Sequence, residues 1–304
     1  MSKEKHPLLR NKNGLEVVFS SRGASIYSIV FKGKYMTLTP VNENDFEKPS
    51  AYYGKTIGPI ANRIKDGIIK VEGKNYFYDT NEGKNSLHSG KEGLSNRVFQ
   101  YKEEENKVIF YLEDINIRYE VDYEINDKNE LTLSLKAQPK TDMPIALTNH
   151  TFFCLGDSNL NKLSLTIPSH RYIETESTTL LPLKERDILP CLDFRKNKNI
   201  MQDIDDEYLQ NHRSLGYDHC FLLDKDMVKL ENDEFVLDIK TDFKAVQIYS
   251  DNYANNIKMI TSEEIIHRGV AIEPEDNLLD KPYMKKGSIY SRTIKYIFKK
   301  KEEN

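Results

Sequence analysis

Through residues 118–125 apolar and charged residues alternate one for one: Tyr119, Val121, Tyr123 and Ile125 against Arg118, Glu120, Asp122 and Glu124. Side chains of an extended strand point to opposite faces in turn, so this run acquires one apolar and one charged face only as a β-strand. The polar turn Asn126-Asp127-Lys128-Asn129 interrupts it, and Leu131, Leu133 and Leu135 then alternate with Thr132, Ser134 and Lys136. That pattern predicts a hairpin. A second hairpin is predicted over 68–78, where Glu72-Gly73-Lys74-Asn75 separates two runs rich in Ile, Val, Tyr and Phe. Further strands are predicted at 15–19, 24–31, 108–112, 162–167, 235–240, 245–249, 269–272 and 291–298. Many short strands separated by turns make an all-β sandwich or barrel.

Helical period is scarce. Ile200, Ile204 and Tyr208 recur at a four-residue step, which predicts a short surface helix within 199–211, inside the polar stretch 174–217. That stretch lacks the Gly, Ser or Pro bias of a linker, and no other segment marks a boundary, so one domain over residues 1–304 is expected. The charged tail 299–304 reads as a solvated end.

Composition excludes several classes of function. The 44 Lys plus Arg against 48 Asp plus Glu give a net charge of −4, which rules out a polybasic wrapper of nucleic acid. No apolar run reaches the ~18 residues that cross a bilayer, and the first residues lack the apolar stretch of a secretory signal. A cytoplasmic protein with no membrane partner is therefore expected. The three cysteines (Cys154, Cys191, Cys220) form no CxxC pair, which fits reduced thiols rather than a disulfide framework or zinc site. Without an export signal, the glycosylation sequon Asn149-His150-Thr151 is accidental.

Nucleotide motifs fail on chemistry. Gly54-Lys55-Thr56 resembles the end of a phosphate-binding loop, but Pro49 occupies the position of that loop's first glycine and has no N–H to offer a phosphate. There is no GxGxxG, and strands without intervening helices leave no strand-to-helix junction for such a loop.

What remains is a series of polar residues set in strand-like, partly apolar segments. Asn62-Arg63 follows Gly58-Pro59-Ile60-Ala61, where a guanidinium needs several acceptors; by itself the arginine reads as a surface residue in a turn. His88 sits in Leu87-His88-Ser89-Gly90 and singly reads as a solvated loop histidine. His150 interrupts the β-forming run 147–153; an imidazole there serves equally as a general acid or as a core residue bonded to backbone. Asp218 precedes the apolar run 220–223, and Gln247 interrupts 245–249; each also reads as a strand-face polar residue. Glu273 closes the apolar run 269–272, where desolvation would raise its pKa towards the range of a general base, unless it points outward.

Taken together these segments resemble the aldose 1-epimerase (galactose mutarotase) family. Gly58-Pro59-Ile60-Ala61-Asn62-Arg63-Ile64 is similar to its Gly-x-x-Ala-Asn-Arg-Ile element. Residues 81–90 are similar to its Asn…Leu-His-Gly-Gly element, and residues 147–153 to its Leu-Thr-Asn-His-x-x-Phe element. Tyr217-Asp218-His219, residues 245–249 with Asn252, and Gly269-Val270-Ala271-Ile272-Glu273-Pro274 complete the series, in the family's order. The resemblance implies a large antiparallel β-sandwich, with His150 as general acid and Glu273 as general base. It further implies that Asn62, Arg63, His88, Asp218 and Gln247 hold the sugar. Ser89 replaces the first Gly of the His-Gly-Gly element, Glu275 stands where Gln is frequent, and the chain has no Trp; these departures bear on substrate preference. The implied reaction interconverts the α and β anomers of a free aldohexose such as galactose or glucose, in a monomer or homodimer, with no metal or cofactor. A hexose-6-phosphate 1-epimerase and a non-catalytic carbohydrate-binding protein of the same fold are the alternatives.

Overall fold

A computed structural model describes residues 6–48, 52–157 and 159–302. The N-terminal five residues, Pro49 and its neighbours 50–51, and the last two residues of the charged tail lie outside these. The alternation of 118–125 is realised as the strand Ile117–Ile125, which pairs antiparallel with Glu130–Pro139 across the expected turn. Leu131, Leu133 and Leu135 are fully buried. Asp122, on the charged face of Ile117–Ile125, is also buried, and the ammonium groups of Lys107 and Lys136 lie 2.9 and 3.1 Å from its carboxylate. These two strands sit within a nine-stranded antiparallel sheet that also holds Tyr290–Lys300, Phe235–Thr241 and Met227–Glu231.

A six-stranded antiparallel sheet runs in the order Phe152–Phe153, Val270–Glu275, Ala245–Tyr249, Asp218–Leu222, Arg171–Thr175, Pro182–Asp187. One hydrophobic cluster joins the two: Val121, Leu133, Leu237 and Ile294 from the larger sheet meet Phe221, Val246, Ile248 and Ile272 from the smaller. Leu15, Val17 and Phe19, from a four-stranded sheet near the N-terminus, belong to the same cluster. Layers of antiparallel strands around a shared core are a β-sandwich. Among the described residues no helix is long and apolar enough to cross a membrane. The three cysteines are buried and form no disulfide among the described residues, and the sequon at Asn149 is buried.

Three sequence expectations need correction. The helix over 199–211 shrinks to one turn, Glu207–Gln210, capped by Asp206, which accepts the N–H of Tyr208 at 2.9 Å. Asn199 accepts the N–H of Met201, and the Ile200 N–H reaches Leu163; these bonds compete with helical ones and draw Ile200 and Ile204 into the core rather than onto a surface helix. The strand expected at 162–167 covers only Ser164–Thr166, because Leu160–Lys162 forms a 3-10 turn. The strand expected to end at Ile272 continues to Glu275, so Glu273 lies within it rather than at its end. On one side of that strand Phe152–Phe153 pairs only with Val270 and Ala271, which leaves Pro274 an edge position that a proline tolerates.

Candidate active site

Period two builds the first wall. In the six-stranded sheet Gln247 lies opposite Glu273, and Cys220 opposite Gln247. Asp218, two residues before Cys220, shares its face. Their alternate neighbours Val246, Ile248, Phe221 and Ile272 enter the main core, so this sheet turns polar side chains away from it. Gln247 donates to Asp218 Oδ1 at 2.5 Å and accepts from the Asn62 side chain at 3.3 Å.

The second wall comes from a tight pair of turns. The strand Arg63–Ile64 pairs with Ser86–Leu87, and the residues flanking this short ladder, Asn62 and His88, both have left-handed backbone, at φ +64° and +55°. Each locks the other: His88 N donates to Asn62 O at 3.1 Å, and Asn62 N donates to His88 Nδ1 at 3.2 Å. Because Nδ1 accepts, the hydrogen of neutral His88 resides on Nε2. Ser89, also left-handed, takes the N–H of Ile60 and donates to its carbonyl, both at 2.9 Å. Arg63, 9% exposed, grips Glu82 with two nitrogens at 2.8 and 3.3 Å and reaches Asp218 at 3.3 Å. Arg213 supplies Glu82 with a second guanidinium.

His150 closes the arrangement. Its strand Thr148–His150 pairs with Lys55–Ile57, and the N–H of Gly54 donates to its carbonyl at 2.9 Å. Gly54 (φ +63°) is obligatory there, since a Cβ would lie 1.9 Å from the carbonyl oxygen of Ile26. The His150 ring lies against Tyr52 and Phe152, with centroids 5.6 and 4.9 Å away, and meets His88 edge-on at 5.5 Å. Nε2 of His150 is 3.3 Å from a carboxyl oxygen of Glu273.

Burial sets the protonation states. Desolvation pushes the His150 pKa down to about 3 and that of His88 well below the ordinary range, the latter aided by the charges of His150 and Arg63. Glu273 is held well above the ordinary carboxylate range, first by burial, then by Glu275 and Asp218, with Arg63 opposing. Burial thus disfavours both the carboxylate and the imidazolium, so the touching pair favours sharing one proton, and such a pair can pass a proton in either direction. The cavity beside it measures about 320 Å³ and is lined by Tyr52, Tyr53, Phe152, Tyr249 and Tyr253 as well as by the polar groups.

The family model described as aldose 1-epimerase matches residues 6–296. The chain belongs to the aldose 1-epimerase family. It is 28% identical over 279 residues to the aldose 1-epimerase of Haemophilus influenzae, an alignment covering 81% of this chain and 78% of that protein. To the galactose mutarotase of Sus scrofa it is 26% identical over 280 residues, covering 81% and 79%. The crystal structure of galactose 1-epimerase from Lactobacillus acidophilus superposes with a TM-score of 0.88 at 23% identity, covering 99% of this chain and 97% of that one, and shares the fold.

All seven residues singled out in the epimerase-like motifs (Asn62, Arg63, His88, His150, Asp218, Gln247 and Glu273) line this one cavity. The histidine and the glutamate, implied as general acid and general base, touch each other. Arg63 and His88, which singly read as surface residues, are buried. Sequence reasoning missed Glu82, Arg213, Tyr52 and the Asp251–Arg268 pair. Arg268 is fully buried, bonded to Asp251 at 2.6 Å and to Tyr53 at 3.1 Å, and so braces the cavity's far side. Its signal was an arginine immediately before the apolar strand 269–272. His88, His150 and Glu273 also present ligand atoms within 4.8 Å of one another, the one such group found among the described residues. As a metal site the set fits poorly, because the Asn62 N–H occupies the His88 lone pair and leaves a hydrogen on the nitrogen free to face a ligand.

Proposed function

We propose that this protein is an aldose 1-epimerase that interconverts the anomers of a free, uncharged aldohexose such as galactose or glucose. The observation that carries this reading is the contact between His150 and Glu273 in a buried, polar cavity. The reaction asks for one group beside the C1 hydroxyl and one beside the ring oxygen. Both oxygens are bonded to the same carbon, so the groups that serve them must be neighbours rather than face each other across the ring.

In the proposed cycle Glu273 takes the C1 hydroxyl proton while His150 gives a proton to the ring oxygen. The C1–ring oxygen bond breaks and an aldehyde forms. Opening leaves Glu273 protonated and His150 neutral, the state that burial favours in the empty site. Rotation about C1–C2 and closure on the other aldehyde face return the proton to His150 and take it from Glu273. The pair needs only one proton between them, and its net charge is the same before and after opening. Paired acid–base assistance of this kind contributes about 10²- to 10⁴-fold per group. His88 offers Nε2–H to a sugar oxygen, and Arg63, whose Nε and Nη2 are held by Glu82 and Asp218, offers its Nη1 hydrogens to another. The lining tyrosines and Phe152 provide faces for the sugar's C–H groups.

The lining charges speak against a hexose 6-phosphate. Against the cations Arg63 and Arg213 stand the carboxylates of Glu82, Asp218 and Asp251, and both arginines are already paired to carboxylates. Polarimetry of freshly dissolved α-D-galactose or α-D-glucose tests the reading. Accelerated equilibration in proportion to enzyme is expected; saturable sugar binding without acceleration would instead identify a binding protein, and neither would reject a sugar ligand.

A further inference from the structure

Behind Glu273 lies a second buried acid that the proposed cycle does not use. Glu275 is two residues further along the same strand, hence on the same face, and is 2% exposed. One of its carboxyl oxygens, Oε1, is buried without a hydrogen-bond partner. The polar groups that interact with it are the Asn62 side chain, the Cys220 thiol, the Lys281 ammonium and the neighbouring Asp276, and Ala245 lies opposite it on the next strand. The side-chain carbonyl of Asn62 accepts the N–H of Arg63 at 2.8 Å and one of its two amide hydrogens goes to Gln247, which leaves the other for Glu275. Glu275 therefore bears on the same amide that orients Arg63 and Gln247.

We propose that Glu275 is a positioning residue for this site: it fixes the Asn62 amide from behind and places a second ionisable carboxyl one strand repeat from Glu273. This rests on the reading of Glu273 as a proton-transfer group. Burial pushes the Glu275 pKa up, with the buried Lys281 ammonium opposing, and burial pushes Lys281 down. Glu273 itself faces His150, Arg63, Asp218 and, from the strand Tyr290–Lys300, Tyr296. Arg63 eases ionisation at Glu273 and Lys281 at Glu275, while Glu275 raises Glu273, so whichever acid loses its proton first makes the other harder to ionise. The two acids titrate as one coupled unit.

NMR of protein labelled with ¹³C at the glutamate carboxyl tests this without relying on activity. The two signals are assigned by their loss in Glu273→Gln and Glu275→Gln. In the unaltered protein each is expected to move in two steps with shared midpoints. In Glu275→Gln the Glu273 signal should move in a single step, with its midpoint lower by roughly one to two pH units for charges about 6.6 Å apart at an effective dielectric near 20. Independent single-step curves in the unaltered protein, or an unmoved Glu273 midpoint in the variant, would overturn the proposal. Should Glu275→Gln fail to fold, the curves of the unaltered protein decide alone. The alkaline limb of kcat/KM, where the pair loses its one proton, is expected to move down by the same amount. An active enzyme whose limb stays put refutes the role of Glu275 alone. An unaltered protein with no mutarotase activity refutes the proposed function and leaves the titration to judge the coupling.

Discussion

Replacing Arg63 by Met removes the cation that sits between Glu82 and Asp218, and the structure indicates how the cost divides. Glu82 keeps Arg213 as a partner. Asp218, with a side chain 9% exposed, keeps the Gln247 amide and loses its guanidinium. Breaking a buried pair by deleting one member costs about 3–5 kcal/mol, chiefly because the other charge stays buried and uncompensated. Most of that loss should therefore reside at Asp218. Asp218→Asn added to Arg63→Met should then restore about 1–3 kcal/mol, although Asp218→Asn alone destabilises the protein. Urea unfolding of the four proteins of this cycle gives the coupling directly. Arg63 also restrains the rise in the Glu273 pKa, so the alkaline limb of activity should move upward in Arg63→Met. A variant within about 0.5 kcal/mol of the parent, or effects of the two substitutions that simply add, would refute the arrangement described here.

Other perturbations have equally definite outcomes. Gly54→Ala forces a Cβ onto the Ile26 carbonyl at a positive φ, and should cost about 3 kcal/mol or more in urea unfolding; a variant as stable as the parent contradicts the turn geometry. Acid should destabilise the protein through its buried histidines. His150 and His219 have folded values near 3 against 6.5 in the unfolded chain, so the contribution of each falls as pH drops from 6.5 towards 3, by up to about 1.4 kcal/mol per pH unit; the raised Glu273 and Glu275 act in the opposite sense above about 4.5, and the loss is steepest below it. His219→Gln should flatten that slope by about one histidine's share, and an unchanged slope would show that His219 does not titrate on unfolding.

Much of the fold was legible because an alternating pattern has one economical solution. Residues 118–135 write their faces into the sequence, and the hairpin between Ile117–Ile125 and Glu130–Pro139 follows. The pattern failed where side chains bond to their own backbone: Asn199 and Asp206 each take a nearby N–H, and the helical spacing of Ile200, Ile204 and Tyr208 yields turns instead. The site was legible as residue types at positions but not as an arrangement. Nothing local in Asn62-Arg63 or in His88 reveals that two left-handed residues lock one another, or that Arg63 is buried between acids from distant segments. Glu82 and Arg213 were invisible for the same reason: each looks like an ordinary exposed charge until the chain brings them together.

The reading of this site stands or falls with proton transfer at Glu273. Glu273→Gln keeps the shape and hydrogen-bonding capacity of the side chain and removes only its proton chemistry. Steady-state polarimetry with galactose or glucose, paired with sugar binding by calorimetry, should show kcat lower by about 10²- to 10⁴-fold with affinity within a few-fold of the parent. A kcat close to that of the parent would show that the ring opens without this carboxyl.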